Sequence, residues 1–460
     1  MSDRTADVVV CGAGIAGVSA AYHLAVGQGI KQVLLVDSRP PLSLTSDKST
    51  ECYRNWWPGP GDAMVRLMNR SIDLLESWAD ETGNAIHLNR RGYLFATADP
   101  AKVDDYLAIS REAEASGAGP LRIHRGRPDD PAYLPAPSEG FHGLPSGADL
   151  ILDRDLIRAQ FPYLTDSTVA VLHARRCGWF SGQQLGALLL DRAKRAGAEL
   201  VRGRVLEVIG NEHVASVRIA AENGEVNVAT ERFVLAAGPE TWTMGERLGL
   251  DLPIFCELHA KVAMPDHLGV VPREAGLAIW SDEQALSWTE EERGILNEDP
   301  ETAWLTSTMP AGVHTRPEGA ADSPTILMLW TYDIQPVQPV FPPHFDEIMY
   351  PEVTLRGLAT MIPGMRAYVG KMPKPFVDGG YYAKTKENRL LACPLPLEGA
   401  FIIGALSGYG LMSSPAAGEL VAAHVAGTQL PDYAHWFSLE RYQDPDYLGL
   451  LENWGASGQL

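Results

Sequence analysis

Three glycines near the amino end, Gly12, Gly14 and Gly17, stand in the order G-x-G-x-x-G directly after the apolar run Val8-Val9-Val10-Cys11. A short buried strand that turns on glycine into a helix gathers backbone N–H groups and the positive end of the helix dipole at one point, which suits a pyrophosphate. Gly12 permits the tight turn, Gly14 lets the backbone approach the phosphates, and Gly17 lets helix and strand pack closely. Ile15 and Ala16 fill the positions where turn becomes helix. A second apolar run, Gln32-Val33-Leu34-Leu35-Val36, ends in Asp37, about twenty residues beyond the last glycine, where a carboxylate accepts hydrogen bonds from ribose hydroxyls. A carboxylate there disfavours a 2′-phosphate. The alternative, a glycine turn with no ligand, leaves the placement of Asp37 unexplained.

Other residues of chemical interest are more scattered. Arg54 sits in the polar and aromatic cluster Tyr53-Arg54-Asn55-Trp56-Trp57, where a guanidinium fork could read a carboxylate or form a structural ion pair. Trp56 and Trp57 read as core or pocket wall, and Tyr381, Tyr382 and Tyr409 as packing or as pocket hydroxyls. Lys48 and Lys261 could place positive charge near a ligand or sit on the surface. His259, His314 and His344 have no metal-ligand spacing and read as structural or surface residues, so no metal is expected. The five cysteines, Cys11, Cys52, Cys177, Cys256 and Cys393, form no C-x-x-C pair. Reduced thiols in a cytoplasm account for them, with Cys52 a small buried residue.

The elements that must hold these groups follow from pattern. A chain of 460 residues, 45% hydrophobic, exceeds what one core usually serves, so two domains are expected. Residues 62–82 carry Met64, Leu67, Met68, Ile72, Leu75 and Trp78 at helical spacing, with Gly83 as a stop. Residues 91–96 are strand-like, and 120–146 are rich in proline and glycine. A helix at 183–196, ended by Gly197, precedes strands at 199–208, 214–220, 226–229 and 232–238. Residues 244–377 mix strands with proline-rich loops. Then 399–405 read as a buried strand, 406–412 as a glycine-broken loop and 416–426 as a small-residue helix, which repeats the strand, turn, helix logic. The net charge of −20 opposes nucleic acid and anionic lipid, and no segment has the length and apolarity to span a membrane. The short polar start, 1–7, lacks a signal-peptide pattern.

Together these motifs resemble the D-amino-acid oxidase and sarcosine oxidase superfamily of flavoproteins. The resemblance rests on residues 7–37, Gly178-Trp179-Phe180-Ser181-Gly182-Gln183-Gln184-Leu185, Val234-Leu235-Ala236-Ala237-Gly238-Pro239 and 405–419. It implies an α/β fold. A Rossmann-type FAD-binding domain of the second glutathione-reductase-like group (1–91, 151–243, 378–460) interleaves with an α+β substrate domain on an antiparallel sheet (92–150, 244–377). Among the implied cofactor contacts, Ser38, Arg39 and Val205 neighbour the adenosine, Ala237 and Gly238 flank the pyrophosphate, and Thr45 and Ser46 complete the set on that side. Gly408, Tyr409, Gly410, Leu411 and Met412 match the loop that approaches the flavin, where a helix N-terminus favours negative charge on the pyrimidine ring.

A further likeness, to monomeric sarcosine oxidases, runs through Ser49-Thr50-Glu51-Cys52-Tyr53-Arg54 and Gly380-Tyr381-Tyr382-Ala383-Lys384-Thr385. It implies Arg54 for a substrate carboxylate and Tyr382 over the bound substrate. Gly380 stands where those enzymes attach the flavin through cysteine, so non-covalent FAD is expected. Met412 and Glu51 replace a lysine and an arginine, and Leu329 falls near the lysine linked to oxygen activation. The resemblance implies oxidation of a C–N bond in an amine or amino-acid-like substrate. Hydride passes to flavin N5, the imine hydrolyses, and O2 or another acceptor takes the electrons. The alternatives are a flavin dehydrogenase of a 2-hydroxy acid or other alcohol, and a flavin-binding subunit without turnover. The oligomeric state stays open.

Overall fold

Strands that are apolar on both faces need cover on both sides, and the runs ending at Cys11 and Asp37 supply such strands. In the computed structural model, which describes residues 3–57, 59–320 and 322–452, they lie in the middle of a nine-stranded sheet. The outermost parts of the expected FAD-binding segments, 1–2 and 453–460, lie outside the described residues, as do residues 58 and 321. Glu199–Ile209, Val33–Asp37, Val8–Cys11, Phe233–Leu235 and Ala400–Gly404 run parallel in that order, and Leu391–Pro394 closes one side antiparallel. On the other side Glu199–Ile209 folds back into Ser216–Ala221 and Gly224–Ala229, with Asp3–Thr5 at the edge.

Helices Ile15–Tyr22, Ala63–Glu81, Gly182–Arg195 and Gly410–Ala426 share one core with this sheet. The first and last approach closely because both are small-residue helices: Ser19 Oγ donates to Ser414 O at 2.7 Å, and a Cβ on Gly418 would lie 2.3 Å from that hydroxyl. The last helix begins at Gly410, not at 416 as expected, and Ser407–Tyr409 forms a single tight turn before it. Pro415 therefore falls inside the helix, where its missing N–H leaves Leu411 O without its usual donor; Ser414 Oγ supplies one at 3.3 Å.

The second sheet has ten strands and its own core beneath the helix Met349–Met361. Its backbone is the pairing of Phe255–Pro265 with Phe376–Lys384, antiparallel from Phe255↔Lys384 to Ala263↔Phe376. The sheet is mostly antiparallel, with parallel pairs at Leu277–Trp280 against Tyr93–Thr97 and at Leu121–His124 against Ala148–Ile151. Sheet membership departs from the expected division at two places. Ala170–Ala174 pairs with Tyr93–Thr97 and Ala148–Ile151, and Phe376–Lys384 joins the second sheet along its whole length. No helix among the described residues is long and apolar enough to cross a membrane.

Candidate active site

A cleft opens where the parallel strands end, and its floor is the glycine turn. Gly12 takes φ +110°, and a Cβ there would sit 2.3 Å from Ala236 O, so the turn is pressed against the neighbouring strand end. Gly17 faces the protein instead: its Cβ would meet Gly12 O at 1.8 Å, and it does not line the cleft. Gly14 caps the helix in extended conformation, and a Cβ there would meet only Ser46 Oγ, at 3.4 Å. Its open side is therefore the cleft itself.

Two polar ties hold this floor. Asp37 Oδ2 accepts from Ala13 N at 2.7 Å while Oδ1 accepts from Arg39 N at 2.8 Å, which fixes the carboxylate at the cleft edge. Ile15 N donates to Ser46 Oγ at 3.0 Å, and Thr45 Oγ1 donates to Tyr381 O at 3.0 Å, so the short helix Thr45–Lys48 bridges the two sheets' strands. Ile15, Ala16, Ser38, Val205, Ala237 and Gly238 line the cleft, as do Gly408, Gly410 and Leu411 at its far end. Arg204, Arg247 and Ser407 also line it and were not singled out by sequence, since nothing in their spacing marks them.

Two buried polar atoms in this cleft, Arg39 Nη1 and Ser407 Oγ, have no hydrogen-bond partner among the described residues. The Arg39 guanidinium lies 4.5 Å over the Phe341 ring, held above the cleft from the second sheet's side. Unpaired buried donors beside the N-terminus of the helix that Gly14 caps fit an anionic ligand with acceptor oxygens.

Beyond Gly408 lies an inner cavity, and Tyr382, Ser407 and Gly408 belong to both linings. Tyr409 and Met412, expected to contact the cofactor, line the inner cavity rather than the cleft: Tyr409 ends the tight turn Ser407–Tyr409, and the helix that starts at Gly410 turns Met412 to its other side. Arg54 reaches the inner cavity from the strand Cys52–Arg54, whose register places it opposite Cys177. It is buried, with its guanidinium 4.7 Å from the Trp57 ring centre and 5.9 Å from that of Tyr93. Burial lowers its pKa. Tyr382 is clamped between Gly408, where a Cβ would approach its ring to 2.4 Å, and His259, which stacks on it at 3.9 Å and 15°.

Two histidines read from the sequence as structural or surface residues in fact line the inner cavity. His259 holds its Nε2 against Glu257 at 3.1 Å, and Lys384 pairs with the same carboxylate at 3.2 Å. His314 Nδ1 donates to Gly312 O at 2.8 Å. His344 is exposed. The lysines stay outside both linings: Lys48 pairs with Asp47 and Asp378, and Lys261, its pKa lowered by burial, donates to Ser49 O at 2.9 Å. Glu51 turns its carboxylate to Gly182 N at 2.7 Å, at the start of the helix Gly182–Arg195, and burial raises its pKa. Cys52 lines the inner cavity as a buried thiol whose pKa burial raises. Leu329 and Trp57 line it too, while Trp56 belongs to the core. Among the described residues no cluster of acidic, histidine or cysteine side chains could hold a metal ion.

The family model described as DAO, FAD dependent oxidoreductase, matches residues 7–424. Human mitochondrial dimethylglycine dehydrogenase is 22% identical over 317 residues, 67% of this chain; the chain spans only 33% of that relative's length. Among solved structures, L-proline dehydrogenase from P. horikoshii superposes with a TM-score of 0.71 at 19% identity, covering 96% of this chain and 99% of that one. Glycine oxidase from Geobacillus kaustophilus gives 0.70 at 16%, covering 95% and 99%. At these identities the likeness establishes a shared fold.

Proposed function

From the premise that this chain belongs to the FAD-dependent oxidoreductase family, we propose that it holds FAD without a covalent bond in the glycine-turn cleft and oxidises a C–N bond of an amine or amino-acid-like substrate in the inner cavity. The observation that carries this reading is the common wall of Tyr382, Ser407 and Gly408, which brings a substrate pocket against the far end of the cofactor cleft. When bound, FAD supplies the two-electron acceptor for the substrate's C–H bond.

The chain's own residues do the rest. The close-approach turn at Gly14, with the dipole of the helix it caps, and the fixed carboxylate of Asp37 bind the dinucleotide's phosphate and ribose. The N-terminus of Gly410–Ala426, which reaches the cleft through Gly410 and Leu411, stabilises negative charge there. Arg54 anchors a substrate carboxylate by its planar fork, over the face of Trp57. A buried cation and the lack of any carboxylate in the lining among the described residues favour the neutral form of the amine, the form that gives up hydride. Tyr382, held by His259, closes the pocket against water.

The names of the relatives support the amine reading, since dimethylglycine, proline and glycine all carry the reacting C–N bond. Neither lysine reaches the inner cavity and Leu329 forms part of its wall, so reoxidation by O2 is proposed to be slower than by a quinone-type acceptor. Five reduced, buried thiols fit a cytoplasmic setting. An anaerobic screen of amines, amino acids and 2-hydroxy acids tests the proposal: an amine should bleach the flavin and release ammonia or an alkylamine. Bleaching by hydroxy acids alone, or by nothing, would overturn it.

A further inference from the structure

Resting on the amine reading, we propose that His314 accepts a hydrogen bond from an N–H of the substrate nitrogen, so that the inner cavity favours primary and secondary amines over fully alkylated ones.

The argument starts from the backbone. His314 opens the strand His314–Pro317, which lies between Leu277–Trp280 and Thr325–Leu329. The turn before it is pinned on both sides: Gly312 N donates to Trp280 O at 2.7 Å, and Trp280 N donates to Val313 O at 2.9 Å. The Gly312 carbonyl is therefore fixed, and it meets His314 Nδ1 at 2.8 Å. A carbonyl only accepts, so Nδ1 carries the proton, and a neutral ring then leaves Nε2 as a bare acceptor. Burial, helped by the Arg54 charge and opposed by the Gly312 bond, pushes the imidazole pKa down to about 4, which keeps that acceptor unprotonated at neutral pH.

The ring lines the inner cavity at 7% exposure, and no hydrogen bond to its Nε2 is formed among the described residues. Several of its polar neighbours on the wall are committed elsewhere, although Ser407 Oγ, on the wall shared with the cleft, is not. Arg54 can only donate. The Tyr409 hydroxyl donates to Asn388 O at 2.7 Å, Thr50 O accepts from Arg316, and His259 has its Nε2 on Glu257 and its face on Tyr382. A neutral primary or secondary amine brings an N–H that needs an acceptor in a buried site, and His314 Nε2 provides it. A neutral N,N-dialkyl amine brings none and leaves Nε2 unpaired, the kind of mismatch that separates analogues most strongly.

The test uses the FAD-loaded enzyme with two variants. His314→Asn keeps an N–H for the Gly312 carbonyl and deletes the distal acceptor; His314→Gln extends a carbonyl oxygen toward the place of Nε2. Probes are N-methylglycine against N,N-dimethylglycine, and proline against N-methylproline, with kcat/KM and, for poor substrates, the dissociation constant read from the flavin spectrum. Flavin content confirms folding. His314→Asn should lose about tenfold or more on the N–H probes and little on the dialkyl probes, and His314→Gln should recover most of the loss. Equal losses in the two series, or a wild-type preference for the dialkyl probe, overturn the inference while leaving amine oxidation intact. Failure of every amine to reduce the wild-type flavin overturns the amine reading itself, and this inference with it.

Discussion

Gly14 and Gly17 differ by three positions in one motif yet should fail in different ways when each gains a methyl group. At Gly14 the backbone has φ −67° and ψ 176°, which any residue adopts, and the new Cβ would touch only Ser46 Oγ at 3.4 Å. Alanine is a poorer cap than glycine by a fraction of a kcal/mol, and the stiffer unfolded chain returns about 0.4–1 kcal/mol, so apo stability should stay within about 1 kcal/mol of wild type. The methyl would stand where the pyrophosphate meets the turn. Losing one charge-assisted hydrogen bond costs about 1.5–3 kcal/mol, an affinity loss of roughly 10- to 150-fold for FAD. Gly17→Ala instead drives its Cβ to 1.8 Å from Gly12 O, and only separation of helix from strand relieves that. A cost of about 1–3 kcal/mol or more in the apo protein is expected. Thermal melts of the apo forms and FAD titrations by fluorescence quenching separate the two. Wild-type FAD affinity in Gly14→Ala, or a Gly17→Ala apo protein as stable as wild type, would refute the division of roles.

Three further outcomes follow from other parts of the molecule. Acid precipitation should release intact FAD, because Gly380, next to Thr45 at the cleft, has no side chain to bond it; flavin retained on the polypeptide would redirect attention to Cys52. Arg54→Met should cost about 2–5 kcal/mol in kcat/KM, mostly through KM, on a carboxylate-bearing substrate and much less on a matched one without it; equal losses in steady-state kinetics count against the anchor. Glu387, whose Oε1 accepts from Arg441 at 2.8 Å, would have its pKa raised by burial, yet Arg441 and two tyrosines hold it below its usual range. Its stabilisation is therefore present above about pH 4.3 and lost as pH falls through the lowered value. Glu387→Gln should destabilise by about 3–5 kcal/mol at pH 7, and denaturant titrations should find that gap narrowing below pH 4.

The motif at the amino end was legible because each of its constraints is local in sequence or repeats a known geometry. Gly12, Gly14 and Asp37 were assigned from spacing alone, and the structure puts all three at one cleft. The contact that makes Gly12 necessary, Ala236 O at 2.3 Å, lies far along the chain and could not be read from the turn. The same limit hid the inner cavity. His259 meets Tyr382 because Phe255–Pro265 pairs with Phe376–Lys384 in one register, and His314 arrives from a third strand. A lone histidine in an alternating strand looks like any other buried polar residue until that register is known. The strand Ala170–Ala174 falls within a segment expected to serve the nucleotide-binding domain, yet it pairs with Tyr93–Thr97 and Ala148–Ile151 of the second sheet, a non-local pairing that its own residues do not announce.

The helix Gly410–Ala426 explains how one loop serves both compartments. Expected contacts from Gly408 to Met412 were treated as a run along a single ligand, which holds for an extended loop. In a helix successive side chains point about 100° apart, so neighbours face different spaces. Leu411 turns to the glycine-turn cleft, Met412 to the inner cavity, and Gly408 remains on the wall between them. Gly408 cannot carry a side chain there, since its Cβ would approach the Tyr382 ring to 2.4 Å. The ring is in turn stacked on His259, which is tied through Glu257 to Lys384. Position in the carboxy-terminal turn thus fixes the tyrosine, and the tyrosine fixes the histidine, so the loop at the end of the cleft and the wall of the inner cavity are one packed unit.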